Sequence, residues 1–190
     1  MPITINGTGT VSGLSVGGVN DGAIAHADLA DSTKPIFCSY AILACQKSNG
    51  TQGGTFTKDT WVTREINTEI ADPDSIVSLS SNQFTLQAGN YLIEWDAVAL
   101  RVQSHSTALY DVTNSTYLWG GMSSYSYSSD GDSNNAKGIM RVTPSGATAY
   151  EIRHVCSSTR SNEGLGRESD TGTYTGVETY LLVKIFKEAS

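Results

Sequence analysis

The segment Gly176-Val177-Glu178-Thr179-Tyr180-Leu181-Leu182-Val183-Lys184-Ile185-Phe186-Lys187 is apolar on both faces of an extended chain. With the two-residue period of a strand, one face carries Val177, Leu181, Val183 and Ile185, and the other Tyr180, Leu182 and Phe186. An antiparallel surface strand ordinarily keeps one wet face. Here the second face needs a cover as well, and in a single sandwich that cover is another subunit. Tyr180, Leu182 and Phe186 are therefore the expected subunit interface. His154 shares its strand parity with Tyr150, Ile152 and Cys156, so it is expected to be buried or to join that interface.

The rest of the chain suits the same architecture. Tyr91-Leu92-Ile93-Glu94-Trp95-Asp96-Ala97-Val98-Ala99 alternates strictly, with Glu94 and Asp96 turned away from the apolar side. Phe84-Thr85-Leu86 alternates too, and Gln87-Ala88-Gly89-Asn90 supplies a turn, so the two runs are expected to form a hairpin. Further strands are expected near residues 37–45, 60–67, 75–80, 106–112, 116–127, 138–143 and 147–156. Ser48-Asn49-Gly50, Gly53-Gly54, Asp72-Pro73-Asp74, Asp130-Gly131-Asp132 and Pro144-Ser145-Gly146 punctuate them. The chain is 16% charged with 19 glycines, a composition of strands and tight turns rather than long amphipathic helices. Many short strands of this kind predict an all-β sandwich or jelly roll over residues 36–190.

Residues 1–35 differ. Small residues dominate, and Ile5, Val11, Leu14, Val16, Val19, Ile24 and Leu29 are too sparse to bury a core within one chain. Such a segment either stays disordered or orders by winding with copies of itself, and the spaced Val, Leu and Ile favour the second. Met1-Pro2-Ile3-Thr4 has no basic n-region or apolar h-region, so no signal peptide is expected and synthesis is placed in the cytoplasm. No apolar run approaches the ~20 residues of a membrane span. A net charge of −7 without a Lys/Arg run argues against nucleic-acid binding through phosphate neutralisation. Cys38, Cys45 and Cys156 show no metal-ligand spacing and are expected as small free thiols.

Phe84-Thr85-Leu86-Gln87-Ala88-Gly89-Asn90-Tyr91 resembles the Phe…Gly-x-Tyr motif of the complement C1q/tumour-necrosis-factor superfamily, and Gly176–Ile185 resembles its closing strand. Tyr40-Ala41-Ile42 sits where its first strand would start. Ala108-Leu109-Tyr110-Asp111-Val112 is similar to a strand of phage members of this group. Thr4–Gly18, Asp21-Gly22-Ala23-Ile24 and Ala27-Asp28-Leu29-Ala30 resemble stem segments of phage tail-fibre and virion proteins, as does Trp61–Thr68. The collagen repeat of eukaryotic members is absent. The resemblance implies a jelly-roll head of about ten strands, a homotrimer, a virion location, and a stem at residues 1–35 that attaches to other virion proteins.

The expected function is that of a non-enzymatic phage appendage head that binds a host-surface glycan or protein. The alternatives are a capsid decoration protein without a ligand and a soluble carbohydrate-binding module. Tyr117, Trp119, Tyr125 and Tyr127 cluster among Ser and Gly. Tyr125 and Tyr127 are expected to make the ligand contact, because tyrosine offers area at low entropic cost, and Trp119 is expected in the core. Asp130, Asp132 and Asn134 would flank that contact. Asp130-Gly131-Asp132-Ser133-Asn134-Asn135 has oxygens in calcium-loop order but lacks the closing glutamate, so a solvated turn is expected, with a structural Ca2+ the lesser reading. Asp170 is a weaker ion ligand still. No cofactor is expected. His105 and His154 find no G-x-S-x-G nucleophile, and nothing pairs Asp28 with Glu163 as a glycosidase would.

Overall fold

The computed structural model describes residues 35–129 and 132–189. Among them are twelve strands and no helix, hence no helix long and apolar enough to cross a membrane. The strands are β1 (Phe37–Lys47), β2 (Val62–Thr63), β3 (Thr68–Ala71), β4 (Val77–Ser80), β5 (Gln83–Leu86), β6 (Tyr91–Leu100), β7 (Gln103–Asp111), β8 (Thr116–Leu118), β9 (Ser123–Ser126), β10 (Ser133–Val142), β11 (Thr148–Cys156) and β12 (Glu178–Glu188). The expected stem lies outside the described residues, apart from Pro35.

Two antiparallel sheets face each other. The first runs β10-β6-β12-β1-β3 and the second β4-β5-β11-β7-β8, with β2 on β11 and β9 on β7. From β5 onward the chain weaves between them: β6, β10 and β12 lie in the first sheet, and β5, β7, β8, β9 and β11 in the second. This is the expected jelly roll, in which β4–β5 and β7–β8 are hairpins and the other connections cross between sheets or within them.

Alternation places the core. In β6, Tyr91, Ile93, Trp95, Ala97 and Ala99 are buried while Leu92, Glu94, Asp96 and Val98 are half-exposed. Opposite them lie Leu181, Val183 and Ile185 of β12 and Ala41 and Leu43 of β1. The second sheet contributes Phe84, Leu86, Leu109, Tyr150 and Ile152. Full burial of each large apolar side chain contributes about 1.5–3 kcal/mol, so the sandwich needs no disulfide. The three cysteines are free, and burial pushes the Cys45 and Cys156 thiols up to about 11.

Within the first sheet, Gly138 of β10 pairs with Trp95 of β6. A Cβ at position 138 would overlap the Trp95 ring. The indole lies flat against this glycine and donates from Nε1 to Thr107 Oγ1 at 2.8 Å.

Four expectations need correction. Residues 84–99 do not form a hairpin: β5 pairs with β4 and β11, and β6 belongs to the opposite sheet. Residues 116–127 are two strands, not one. Gly120 and Gly121 turn the chain across to β10, where Gly120 O accepts from Ile139 N at 3.0 Å and Met122 N donates to Lys137 O. Trp61–Thr68 belongs to the head, with Arg64 and Ile66 buried in it. Tyr180 is buried within the single chain despite its parity, its hydroxyl donating to Thr51 O at 2.7 Å.

Candidate functional site

Three surfaces carry the chemistry. The first is the outer face of the first sheet. Its register aligns Arg141, Leu92, Phe186 and Tyr40 in one row, Ile139, Glu94, Lys184 and Ile42 in the next, and Lys137, Asp96, Leu182 and Ala44 in a third. Tyr40 and Ile139 are exposed, and Ile42, Leu92, Leu182 and Phe186 half-exposed. The charges among them are matched: Lys184 lies 3.6 Å from Glu94 and Lys137 3.1 Å from Asp96. A depression of about 290 Å³ opens on this face between Lys184, Ile139 and the Gly120–Met122 turn. Leu182 and Phe186 are half-exposed on this face, open to a partner. Tyr180, expected beside them, is covered by its own chain, and His154 is buried, one of the two places expected for it.

The second surface is the turn between β9 and β10. Tyr125 and Tyr127 are 47% and 50% exposed, their ring centres 6.4 Å apart. Asn134 Nδ2 donates to Tyr125 O at 2.7 Å, and Asp132 Oδ2 accepts from Tyr127 N at 2.9 Å. Asp132 and Asn134 therefore brace the turn that presents the two rings. Asp130 lies outside the described residues. Among the described residues no three His, Cys, Asp or Glu side chains converge as a metal site requires. Asp170 faces Arg167 at 3.7 Å. Glu163 is held by Arg160, with Arg101 and Arg167 close by, and these cations lower its carboxyl below the usual range. It braces a connection and faces no second carboxylate among these partners. Asp28 lies outside the described residues.

The third surface, on the outer face of the second sheet, was not anticipated. Tyr110 of β7 pairs with Tyr117 of β8, and their rings meet at 4.8 Å. Trp119 lies parallel to Tyr117 within 10°, at 5.0 Å. It is 69% exposed, the reverse of the core position expected for it. Trp61, just before β2, closes on both rings, at 5.2 Å from Tyr117 and 6.0 Å from Trp119. Arg153 of β11 lies over Tyr110, 3.4 Å from the ring centre, and donates from Nη1 to the Tyr117 hydroxyl at 2.9 Å. Its Nε donates to Glu151 Oε1 at 2.6 Å. Glu151 is buried and also accepts from Thr63 and Gln83. The signal for this cluster in sequence was faint: Trp61 is remote, and only the β7–β8 register brings Tyr110 to Tyr117.

Behind these surfaces the interior is polar at one end. Arg64 is buried and donates to Val98 O at 3.0 Å, Leu165 O at 3.0 Å and Tyr180 O at 2.7 Å. Burial lowers its guanidinium to about 10. His105 and His154 lie together nearby, without a nucleophile between them.

No protein-family model matches the sequence, and no curated protein matches it. Solved structures do match in fold. An Eiger tumour-necrosis-factor protein from S. frugiperda aligns with a TM-score of 0.53 at 15% identity, over 82% of this chain and 95% of that one. The globular domain of zebrafish complement 1qA aligns at 0.47 and 13% identity, over 78% and 95%. The PRD1 vertex protein P5 aligns at 0.48 and 9% identity, over 80% and 99%. The architecture is that of the C1q/TNF jelly roll.

Proposed function

We propose that this chain is the head of a bacteriophage virion appendage, assembled as a homotrimer, that recognises a glycan or protein on the host surface. The observation that carries the reading is the outer face of the first sheet. Tyr40, Ile42, Leu92, Ile139, Leu182 and Phe186 lie together on adjacent strands, and the charges between them are already paired. Apolar side chains gathered around paired charges in this way are costly in water and favour covering by a copy of the chain. The resemblance of residues 4–30 to phage stem segments supports a virion location, with that stretch joining the head to other virion proteins. Three copies of one head would let individually weak contacts act together. The exposed aromatic side chains on the other surfaces suit contact better than catalysis.

Light scattering after size exclusion tests the assembly. The expected mass is about three times the chain's 20.2 kDa; a persistent 20.2 kDa species would overturn it. Gold-labelled antibody on purified particles then locates the protein. Label on distal appendages with binding of the isolated head to host cells is expected. Label confined to the capsid shell, without cell binding, would instead support the decoration reading.

A further inference from the structure

The geometry points to a saccharide-binding site on the outer face of the second sheet, built from Trp61, Tyr117 and Trp119, for an uncharged pyranose of a surface glycan. The inference rests on the surface-recognition reading and moves the contact away from Tyr125 and Tyr127.

Three features of the cluster argue for a ligand. Trp119 is covered by Tyr117 on one side only, and its 69% exposure leaves the other indole face to solvent. Tryptophan carries more apolar area than any other side chain, and leaving it in water at a rigid position is costly unless something covers it. Next, the array is preorganised. The Tyr117 hydroxyl is bonded by Arg153, and Arg153 by Glu151, which Thr63 and Gln83 fix in turn. A ring held this way loses little freedom when a ligand stacks on it. Last, Trp61 meets Trp119 at 61° with 6.0 Å between centres. Trp61 is nearer Tyr117, at 5.2 Å, so it holds the flank of the Tyr117–Trp119 pair and leaves the outer Trp119 face as the flat wall for stacking.

Charge selects among ring-shaped ligands. Arg153 is matched by Glu151 at 2.6 Å, so the site has no spare cation for a phosphate, sulfate or carboxylate. The net charge of −7 further opposes polyanions such as nucleic acids. A quaternary ammonium group would find one open face, that of Trp119, and no aromatic cage, because the Arg153 guanidinium already occupies the Tyr110 face. An uncharged pyranose fits what remains. Its C–H face stacks on indole without needing a charged partner.

The test is tryptophan fluorescence titration of the full chain with cellohexaose, maltohexaose, chitohexaose and a galactan oligosaccharide, alongside an array of bacterial surface polysaccharides. At least one saccharide should quench the emission. Trp119→Ala should weaken that saccharide by about tenfold or more, the loss of one aromatic stacking contact. Trp119 lies on the surface, so this change spares the core. Trp61→Phe keeps a packed ring and should give a smaller loss, while Tyr125→Ala should bind as the parent does. Saccharide binding that survives Trp119→Ala but not Tyr125→Ala would overturn the site and leave the recognition reading standing. So would a labelled head that decorates host cells yet binds no saccharide, or binds a proline-rich peptide instead. Absence of both saccharide and cell binding would sink the site and the recognition reading together.

Discussion

His105 Nδ1 lies 3.0 Å from His154 Nε2 inside the sandwich, and the outward nitrogens of both rings, His105 Nε2 and His154 Nδ1, are buried without a partner. One ring must donate and the other accept, so the accepting ring must be neutral. Burial and the nearby Arg64 guanidinium lower His105 from 6.5 to about 4 and His154 well below its ordinary value, and a charge on His105 further opposes one on His154.

Acid should therefore loosen the head well before carboxylates titrate. Above pH 6.5 the histidines are neutral folded or unfolded and add no pH dependence. Below it the unfolded chain takes up protons that the folded one refuses, down to about pH 4 for His105. Stability then falls by up to about 1.4 kcal/mol per pH unit for each histidine. Thermal melts between pH 7 and pH 5 should show a falling midpoint. The His105→Gln, His154→Gln double variant should show a flatter profile, whatever its absolute stability. A parent midpoint constant across that range would overturn the assignment.

Arg64 sets the same balance. It is a buried cation bonded to three backbone carbonyls from β6, β12 and the 157–177 connection. Arg64→Met keeps the bulk and removes every donor, leaving three buried acceptors unpaired. A loss of about 3 kcal/mol in urea denaturation is expected. The variant should also melt with a shallower acid dependence, since the charge that disfavours histidine protonation is gone. Unchanged stability would mean that other donors reach these carbonyls.

Gly138 offers a sterically defined case. Any Cβ there overlaps the Trp95 indole, which is fixed by its bond to Thr107. Gly138→Ala should force the indole from its rotamer and break that bond, costing about 2–3 kcal/mol. Near-ultraviolet circular dichroism should report a changed tryptophan environment. A variant with parent-like stability and spectrum would show that β10 can shift at no cost.

Local pattern revealed the strands better than their partners. The alternation in residues 91–99 describes β6 well, because a half-buried strand writes its own period. The same alternation carries no information on which sheet a strand joins, so Phe84–Leu86 and Tyr91–Ala99 were read as neighbours when they lie in opposite sheets. The beginning of β10 was missed because Ser133, Asn134 and Asn135 are exposed and give no apolar signal. Tyr180 broke its parity where β1 shifts register between Cys45 and Gln46, opposite the start of β12. Arg64 and the Trp61–Tyr117–Trp119 cluster depend on contacts between distant segments, which no window along the chain contains.

The outer face of the first sheet yields the most direct test of assembly. Phe186 stands between Tyr40 and Leu92 on neighbouring strands, and its ring centre is 5.3 Å from that of Phe37. It is half-exposed in the single chain, so replacing it disturbs this outer face more than the core. Phe186→Glu adds a carboxylate to an apolar row whose nearest neighbouring charges, Lys184 with Glu94 and Arg141 with Glu188, are already matched. In a covered interface that carboxylate would lose its water without gaining a partner, at a cost of several kcal/mol for each copy. Copies related by symmetry would also bring the new charges near one another. The variant should keep the parent's β-sheet circular dichroism and run at the single-chain mass of 20.2 kDa. Tyr125→Ala, on a different surface, should leave the assembly intact. If Phe186→Glu keeps the parent's mass, Phe186 does not lie in the contact between copies, and the row Tyr40–Phe186–Leu92 is not the seam of the assembly.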